Sequence, residues 1–197
     1  MTHKYTIGLD FGTDSVRALL VNASDGSEIS SYACDYPRWK KGLYSDPVKS
    51  QYRQHPLDYL EAMEVVLKEV VAECPDKAAI AGISVDTTGS SPCLCDRTLT
   101  PLSLKEAHAE DPAAMFVIWK DHTGEKECEE IVSHCQGENA KYLAHTGFAY
   151  SPENYWPKIL HLVRTAPHLL PEAYTAVEFC DWIPAVLTGC QAAKSRS

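Results

Sequence analysis

The residues best suited to chemistry stand near the start of the chain, in YTIGLDFGTDSVRALLV. Asp10 is followed, after one residue, by Gly12-Thr13-Asp14-Ser15, a small and polar run with turn chemistry. Amides of successive residues in such a turn can converge on phosphate oxygens. Gly12 lets the backbone approach closely, and Thr13 and Ser15 add hydroxyl donors. A bare carboxylate would repel a phosphate, so Asp10 beside such a cradle implies a cation between them. The same residues also suit an ordinary hairpin corner, and spacing alone does not separate the two readings.

The elements that must hold this turn can be read from periodicity. Tyr5, Ile7, Leu9 and Phe11 alternate with Thr6, Gly8 and Asp10, and Val16, Ala18 and Leu20 resume the alternation. This predicts a hairpin with Asp10 at the carboxyl end of its first strand. A second turn at 24–27 leads into a third antiparallel strand over 28–35. Residues 36–56, YPRWKKGLYSDPVKSQYRQHP, read as a long loop whose Trp39, Tyr44 and Tyr52 suit either a sugar cover or an anchor. Pro56 opens a helix whose Leu57, Leu60, Met63, Leu67, Val70 and Val71 form an apolar stripe. A buried strand over 79–85 ends at Asp86, and the polar loop Thr87-Thr88-Gly89-Ser90-Ser91-Pro92 follows. A short strand over 93–96 precedes an excursion over 97–112. A strand over 115–119 ends in Lys120-Asp121-His122, and helices follow near 123–135, 138–145, 152–165 and 179–188.

Strands first, then helices between strands, give an α/β fold: a mixed sheet with flanking helices. Ligands of open α/β sheets bind beyond the carboxyl ends of the strands. That places Asp10, Asp86 and Asp121 along one rim of one sheet, with the Gly12-Thr13 turn and the 87–91 loop. An acid after a strand can instead cap a helix, and Asp121 before Thr123 is the clearest case.

The composition narrows the function classes. A net charge of −9 argues against an electrostatic role on nucleic acid or an anionic membrane. No apolar run is long enough to span a bilayer, and MTHKYTIGLD is no signal peptide. The eight cysteines therefore read as reduced and cytosolic, with Cys34, Cys74 and Cys180 as buried thiols. A zinc site from Cys93, Cys95, Cys128, His134 and Cys135 lacks a paired C-x-x-C pattern. There is also no G-x-x-x-x-G-K-[ST], so a P-loop is excluded.

GLDFGTDSVRALLV resembles the first phosphate motif of the FGGY carbohydrate kinases, in the actin–hexokinase–heat-shock ATPase superfamily. YPRWKKG, QYRQHPLDYLEAME, VDTTGSSP, MFVIWKDHT and FCDWIPAVLTG resemble, in order, segments of its bacterial L-ribulokinase branch. The resemblance implies a ribonuclease-H-like domain and ATP-dependent phosphorylation of L-ribulose at the 5-hydroxyl, a cytoplasmic step of L-arabinose breakdown. A kinase for xylulose, another pentulose or a polyol is the near alternative. A non-catalytic sugar- or nucleotide-binding module is the rival from another class.

The resemblance also implies roles for residues. Mg2+ is assigned to Asp10, often through water, and the ATP phosphates to Gly12, Thr13, Asp14, Ser15 and Arg17. The sugar is assigned to Gly89, Ser90, Trp119, Lys120, Asp121 and Asn154. Glycerol kinases carry an Arg-Glu pair where Gly89 and Ser90 stand here, which leaves room for a larger sugar. Trp119 can pack on sugar C–H bonds, while Lys120 and Asp121 can bond its hydroxyls. The partners are a small sugar and ATP, not nucleic acid or membrane, and a homodimer is left open. The family's catalytic aspartate and adenine-holding second domain are expected beyond residue 197. Residues 1–197 are thus expected to form most of the N-terminal domain and to be inactive alone, with an end, CQAAKSRS, that departs from the family's continuation.

Overall fold

The computed structural model describes residues 4–147 and 149–190, so the divergent tail 191–197 lies outside the described residues. The opening hairpin forms as its alternation requires: β1 (Tyr5–Phe11) and β2 (Ser15–Asn22) pair antiparallel, and β3 (Glu28–Asp35) extends the ladder. Tyr5, Ile7, Leu9, Phe11, Val16, Ala18 and Leu20 are all buried. The predicted 36–56 loop instead has structure of its own. It contains α1 (Pro37–Lys40), β4 (Ser45–Asp46) and β5 (Gln51–Gln54). The buried Asp58 carboxylate explains why α1 forms. It accepts the Arg38 amide at 3.1 Å, the Trp39 amide at 3.0 Å and the Arg38 guanidinium at 3.0 Å, satisfying the first-turn donors of α1.

Helix α2 (Pro56–Ala72) starts where Pro56 fixes the backbone and His55 Nδ1 accepts the Leu57 amide at 3.1 Å. Its buried face runs through Tyr59, Ala62, Met63, Val66 and Val70. Leu57, Leu60, Leu67 and Val71 flank that face and are only half-buried. The buried face is thus rotated from the aliphatic stripe, because Tyr59 and Ala62 pack into the core beside Met63, Val66 and Val70. Strand β6 (Ile80–Thr87) then returns parallel to β1, giving the order β3-β2-β1-β6. The expected buried strand is thus an edge strand of this sheet, with Ile83 44% exposed.

The 115–119 segment does not join this sheet. Only β8 (Phe116–Val117) is strand, and it pairs with β5 in a separate ladder, β4-β5-β8. Met115 to Ile118 are buried without alternation, and a continuous apolar run fits any buried ladder. A third ladder pairs β7 (Pro92–Cys95) with β9 (Thr175–Glu178). Helices α3 (Glu125–His134), α4 (Tyr155–Thr165) and α5 (Phe179–Thr188) complete the chain, with a 3-10 segment over Gly137–Thr146.

One aromatic core joins these parts. Phe11, Tyr59, Phe116, Phe179 and Trp182 contact one another in a chain, with ring centroids 4.1 Å apart for Tyr59–Phe179 and 5.5 Å for Phe11–Phe179. Each buried ring contributes roughly 1.5–3 kcal/mol. Phe11 is the last residue of β1, so the core ends directly beneath Gly12. All eight cysteines are free thiols; Cys74 is buried, Cys34 half-buried and Cys180 exposed, so only one of those three matches its expected burial.

Candidate functional site

The carboxyl ends of β1 and β6 set the site. Asp10 lies between two register partners, Arg17 on β2 and Asp86 on β6. Arg17 donates to Asp10 through Nε at 3.0 Å and Nη2 at 2.7 Å. Both side chains are about half exposed, so the pair adds little stability. It holds the carboxylate on the open face of the sheet, above a groove of about 580 Å3 that Ser84 and Asp86 also line.

The turn is tied back from three sides. The Gly12 amide donates to the Ser15 carbonyl at 3.0 Å, so it closes the hairpin and is not free for an anion. A Cβ on Gly12 would come within 3.4 Å of that carbonyl and 3.5 Å of Arg17 Nη2, which is the close approach that calls for glycine. Among the described residues, no acceptor is found for the Thr13 and Asp14 amides. The indole of Trp119 donates to Thr13 Oγ at 3.0 Å, the Gln54 amide to the Thr13 carbonyl, and the Trp39 indole to Asp14 at 2.7 Å.

The 87–91 loop begins beside the same turn, where the Thr88 amide donates to the Phe11 carbonyl at 3.1 Å. Gly89 faces open space, and Ser90 is held in the left-handed region at φ 51°. Two charges, one buried and one half-buried, grip the loop from behind. Lys158, fully buried on α4, donates to the carbonyls of Ser90, Ile118 at 2.9 Å and Trp119 at 3.4 Å. Glu178, at the end of β9, accepts the Ser91 amide at 2.8 Å. Burial pulls the Lys158 amine down to about 8 and pushes the Glu178 carboxyl up.

On the opposite wall, Trp119 is 39% exposed. Lys120 projects its ammonium over the Trp39 ring at 4.8 Å and the Tyr52 ring at 4.5 Å. Trp39 and Tyr52 therefore anchor this wall to the hairpin turn. Asp121 behaves differently from its neighbours. It is fully buried, pairs with Arg53 Nε at 3.0 Å, and accepts the amides of Tyr52 at 2.7 Å and Thr123 at 3.0 Å. Its oxygens are engaged inside the protein, so it shapes the Trp119–Lys120 turn. Asn154 accepts the Ser151 amide at 2.9 Å ahead of α4. The carboxylate of its neighbour Glu153 lies 3.0 Å from His122. Trp156, in the first turn of α4, is 63% exposed.

Asp10, Gly12, Thr13, Gly89, Ser90, Trp119 and Lys120 thus converge around one end of the hairpin. Lys158, Glu178, Gln54 and Arg53 complete the arrangement. Lys158 shares the buried face of its helix with Leu162, at helical spacing.

The donor set fits a hydrated magnesium. Asp10 and Asp86 put hard oxygen ligands side by side, yet no group of three acid, histidine or cysteine ligands exists among the described residues. Mg2+ commonly keeps several waters and takes one or two carboxylates. Among the described residues no helix is long and apolar enough to cross a membrane.

The chain is 45% identical over 195 residues to a ribulokinase of Vibrio parahaemolyticus, covering 96% of this chain and 34% of that protein. It is 32% identical over 188 residues to a ribulokinase of Staphylococcus aureus, covering 93% of this chain and 34% of that protein. The chain therefore spans about a third of the length of these curated relatives. In fold it is similar to a xyloylose kinase from Brucella ovis, with a TM-score of 0.71 at 19% identity over 92% of this chain and 34% of that one. The mixed sheet with flanking helices is that of sugar kinases of the actin/hexokinase-like fold. Residues 5–195 match the N-terminal domain of the FGGY family of carbohydrate kinases, and the chain belongs to that family.

Proposed function

We propose that these residues are the acceptor-binding half of a kinase that transfers the γ-phosphoryl group of ATP to the 5-hydroxyl of L-ribulose. The observation that carries this reading is the Trp119–Thr13 hydrogen bond. It joins the sugar-facing wall to the phosphate turn, so an acceptor on Trp119 would lie next to a donor phosphate on Thr13.

Each residue then has a physical task. Thr13 Oγ accepts from the indole, which leaves its own proton free to donate to a phosphate oxygen. The unengaged Thr13 and Asp14 amides add donors, and Ser15 and Arg17 stand at the base of the turn. Asp10, with Asp86 beside it, would hold Mg2+ through water; the cation would neutralise phosphate charge as transfer proceeds. Gly89 leaves open space and Ser90 presents a hydroxyl for a ketopentose; the Trp119 ring covers its C–H face, and Lys120 reaches its hydroxyls. Asn154 extends the sugar side. Asp121 acts by fixing Trp119 and Lys120. The base that takes the 5-hydroxyl proton is assigned to no residue here. The ribulokinase relatives favour L-ribulose over xylulose or another pentulose, and the negative charge with eight free thiols suits the cytoplasm.

The test is binding followed by turnover. L-Ribulose should shift the amide signals of Ser90, Ser91 and Asp121 in this chain, and glycerol should not. In the longest natural form of the protein, L-ribulose should drive ADP release in a coupled assay. Equal response to glycerol and L-ribulose would overturn the assignment.

A further inference from the structure

The most unusual charge placement in the molecule is not at the rim but behind it. Lys158 is fully buried, yet no carboxylate lies within ion-pair distance of it among the described residues. Its ammonium faces backbone carbonyls of two different segments: Ser90 from the 87–91 loop, and Ile118 with Trp119 from the opposite wall. A buried cation is costly unless its donors are satisfied, and carbonyl oxygens are the groups that satisfy it here. Ser90 needs such a restraint, since a non-glycine residue at φ 51° is disfavoured when free. Glu178 restrains the same peptide unit from its other end by accepting the Ser91 amide. The loop is thus gripped at consecutive residues by opposite charges carried on separate elements, α4 and the end of β9.

We infer that Lys158 is a positioning residue that sets the spacing between the Gly89–Ser91 loop and the Trp119 wall, and with it the width of the sugar subsite, while Glu178 fixes the loop's backbone direction. This rests on the reading of that loop as the sugar side. Lys158 touches no substrate; it acts through the carbonyls it holds. The Ile118 carbonyl also accepts the Asp121 amide at 2.9 Å, so loss of the lysine should loosen both sides of the subsite together.

The test is residue-resolved amide exchange on the 197-residue chain, with L-ribulose titration read from the same signals. Lys158→Met should speed exchange at Ser91 and Asp121 by about tenfold, while Leu9 and Ala18 in the hairpin stay protected. It should weaken L-ribulose binding by a similar factor. Glu178→Ala should expose Ser91 but not Asp121, and Glu178→Gln, which keeps an oxygen acceptor, should restore Ser91. The Glu178 pair decides the loop mechanism even if Lys158→Met fails to fold. Unchanged exchange at Ser91 and Asp121 in Lys158→Met overturns the assignment. Lost protection with unaltered L-ribulose affinity overturns the role in subsite width and leaves the sugar reading standing. Lost protection in a chain that never binds L-ribulose supports the clamp and removes the sugar.

Discussion

The buried amine of Lys158 should write itself into the pH dependence of stability. Its ordinary value is 10.5, and in the fold it is pulled down to about 8. Burial is the main cause and Arg53 adds to it; Asp121, Glu178 and Glu153 pull the other way. Between those two pH values the unfolded chain holds a proton on this lysine that the folded chain has released. Stability therefore rises with pH across that window, because the unfolded state binds more protons. The gap between 8 and 10.5, at about 1.4 kcal/mol per pH unit, is worth about 3 kcal/mol. Buried thiols such as Cys93, which burial pushes up, tilt the curve the opposite way. They do so equally in wild type and Lys158→Met, so the difference between the two proteins isolates the lysine. Urea unfolding under reducing conditions, from neutral pH to about 10, gives that difference. It should be flat below about 8 and then climb in favour of wild type by about 1.4 kcal/mol per pH unit. A difference that stays flat across the window would mean that Lys158 titrates as an exposed lysine, and the clamp geometry would fall with it.

Asp10→Asn in the longest natural form should lower kcat by about 100- to 1000-fold, the scale of removing one electrostatic element, with sugar KM nearly unchanged; wild-type turnover would refute the magnesium role. The same variant should shift stability by less than about 1 kcal/mol, since its Arg17 pair is exposed, as urea unfolding would show. Gly124→Ala should destabilise by about 1–3 kcal/mol, because its Cβ would stand 2.8 Å from the Pro157 carbonyl oxygen, and backbone cannot step aside cheaply. Thermal unfolding equal to wild type would contradict the close approach of α3 and α4. The 197-residue polypeptide alone should release no ADP in response to L-ribulose, since it spans about a third of its ribulokinase relatives; sugar-dependent turnover on the order of one per second would place a working base among these residues.

The hairpin was legible because its buried face follows a strict period of two from Tyr5 to Leu20, interrupted only by the turn. The pairing of Asp10 with Asp86 was legible for the same reason: both stand at the carboxyl end of a strand, next to its last residue. The placement of β8 was not, since an unbroken apolar run carries no information about its partner. The structure within 36–56 depends on Asp58, a single carboxylate twenty residues from Arg38, and no local pattern announces such a cap. Asp121 illustrates a different limit. An acid at the end of a strand has the same sequence appearance whether it faces a ligand or, as here, a buried arginine on the paired strand β5. The grip of Lys158 on two loops needed coordinates, because a lysine near a helix start looks the same in sequence whether it faces solvent or buried carbonyls.

The aromatic core also dictates a timetable. Phe11 and Phe179 are roughly 170 residues apart in the chain, yet their rings meet beneath the turn. A ribosome adding about 5–20 residues per second needs roughly 10–30 s between delivering the first and the second. Through that interval β1 and α2 can find each other, but Phe11 and Tyr59 still lack Phe179. The nascent hairpin therefore waits with an apolar flank uncovered. Contacts of such long sequence separation are slow to form even in the finished chain. The turn with the most chemistry thus emerges roughly 170 residues ahead of the ring that completes the core beneath it.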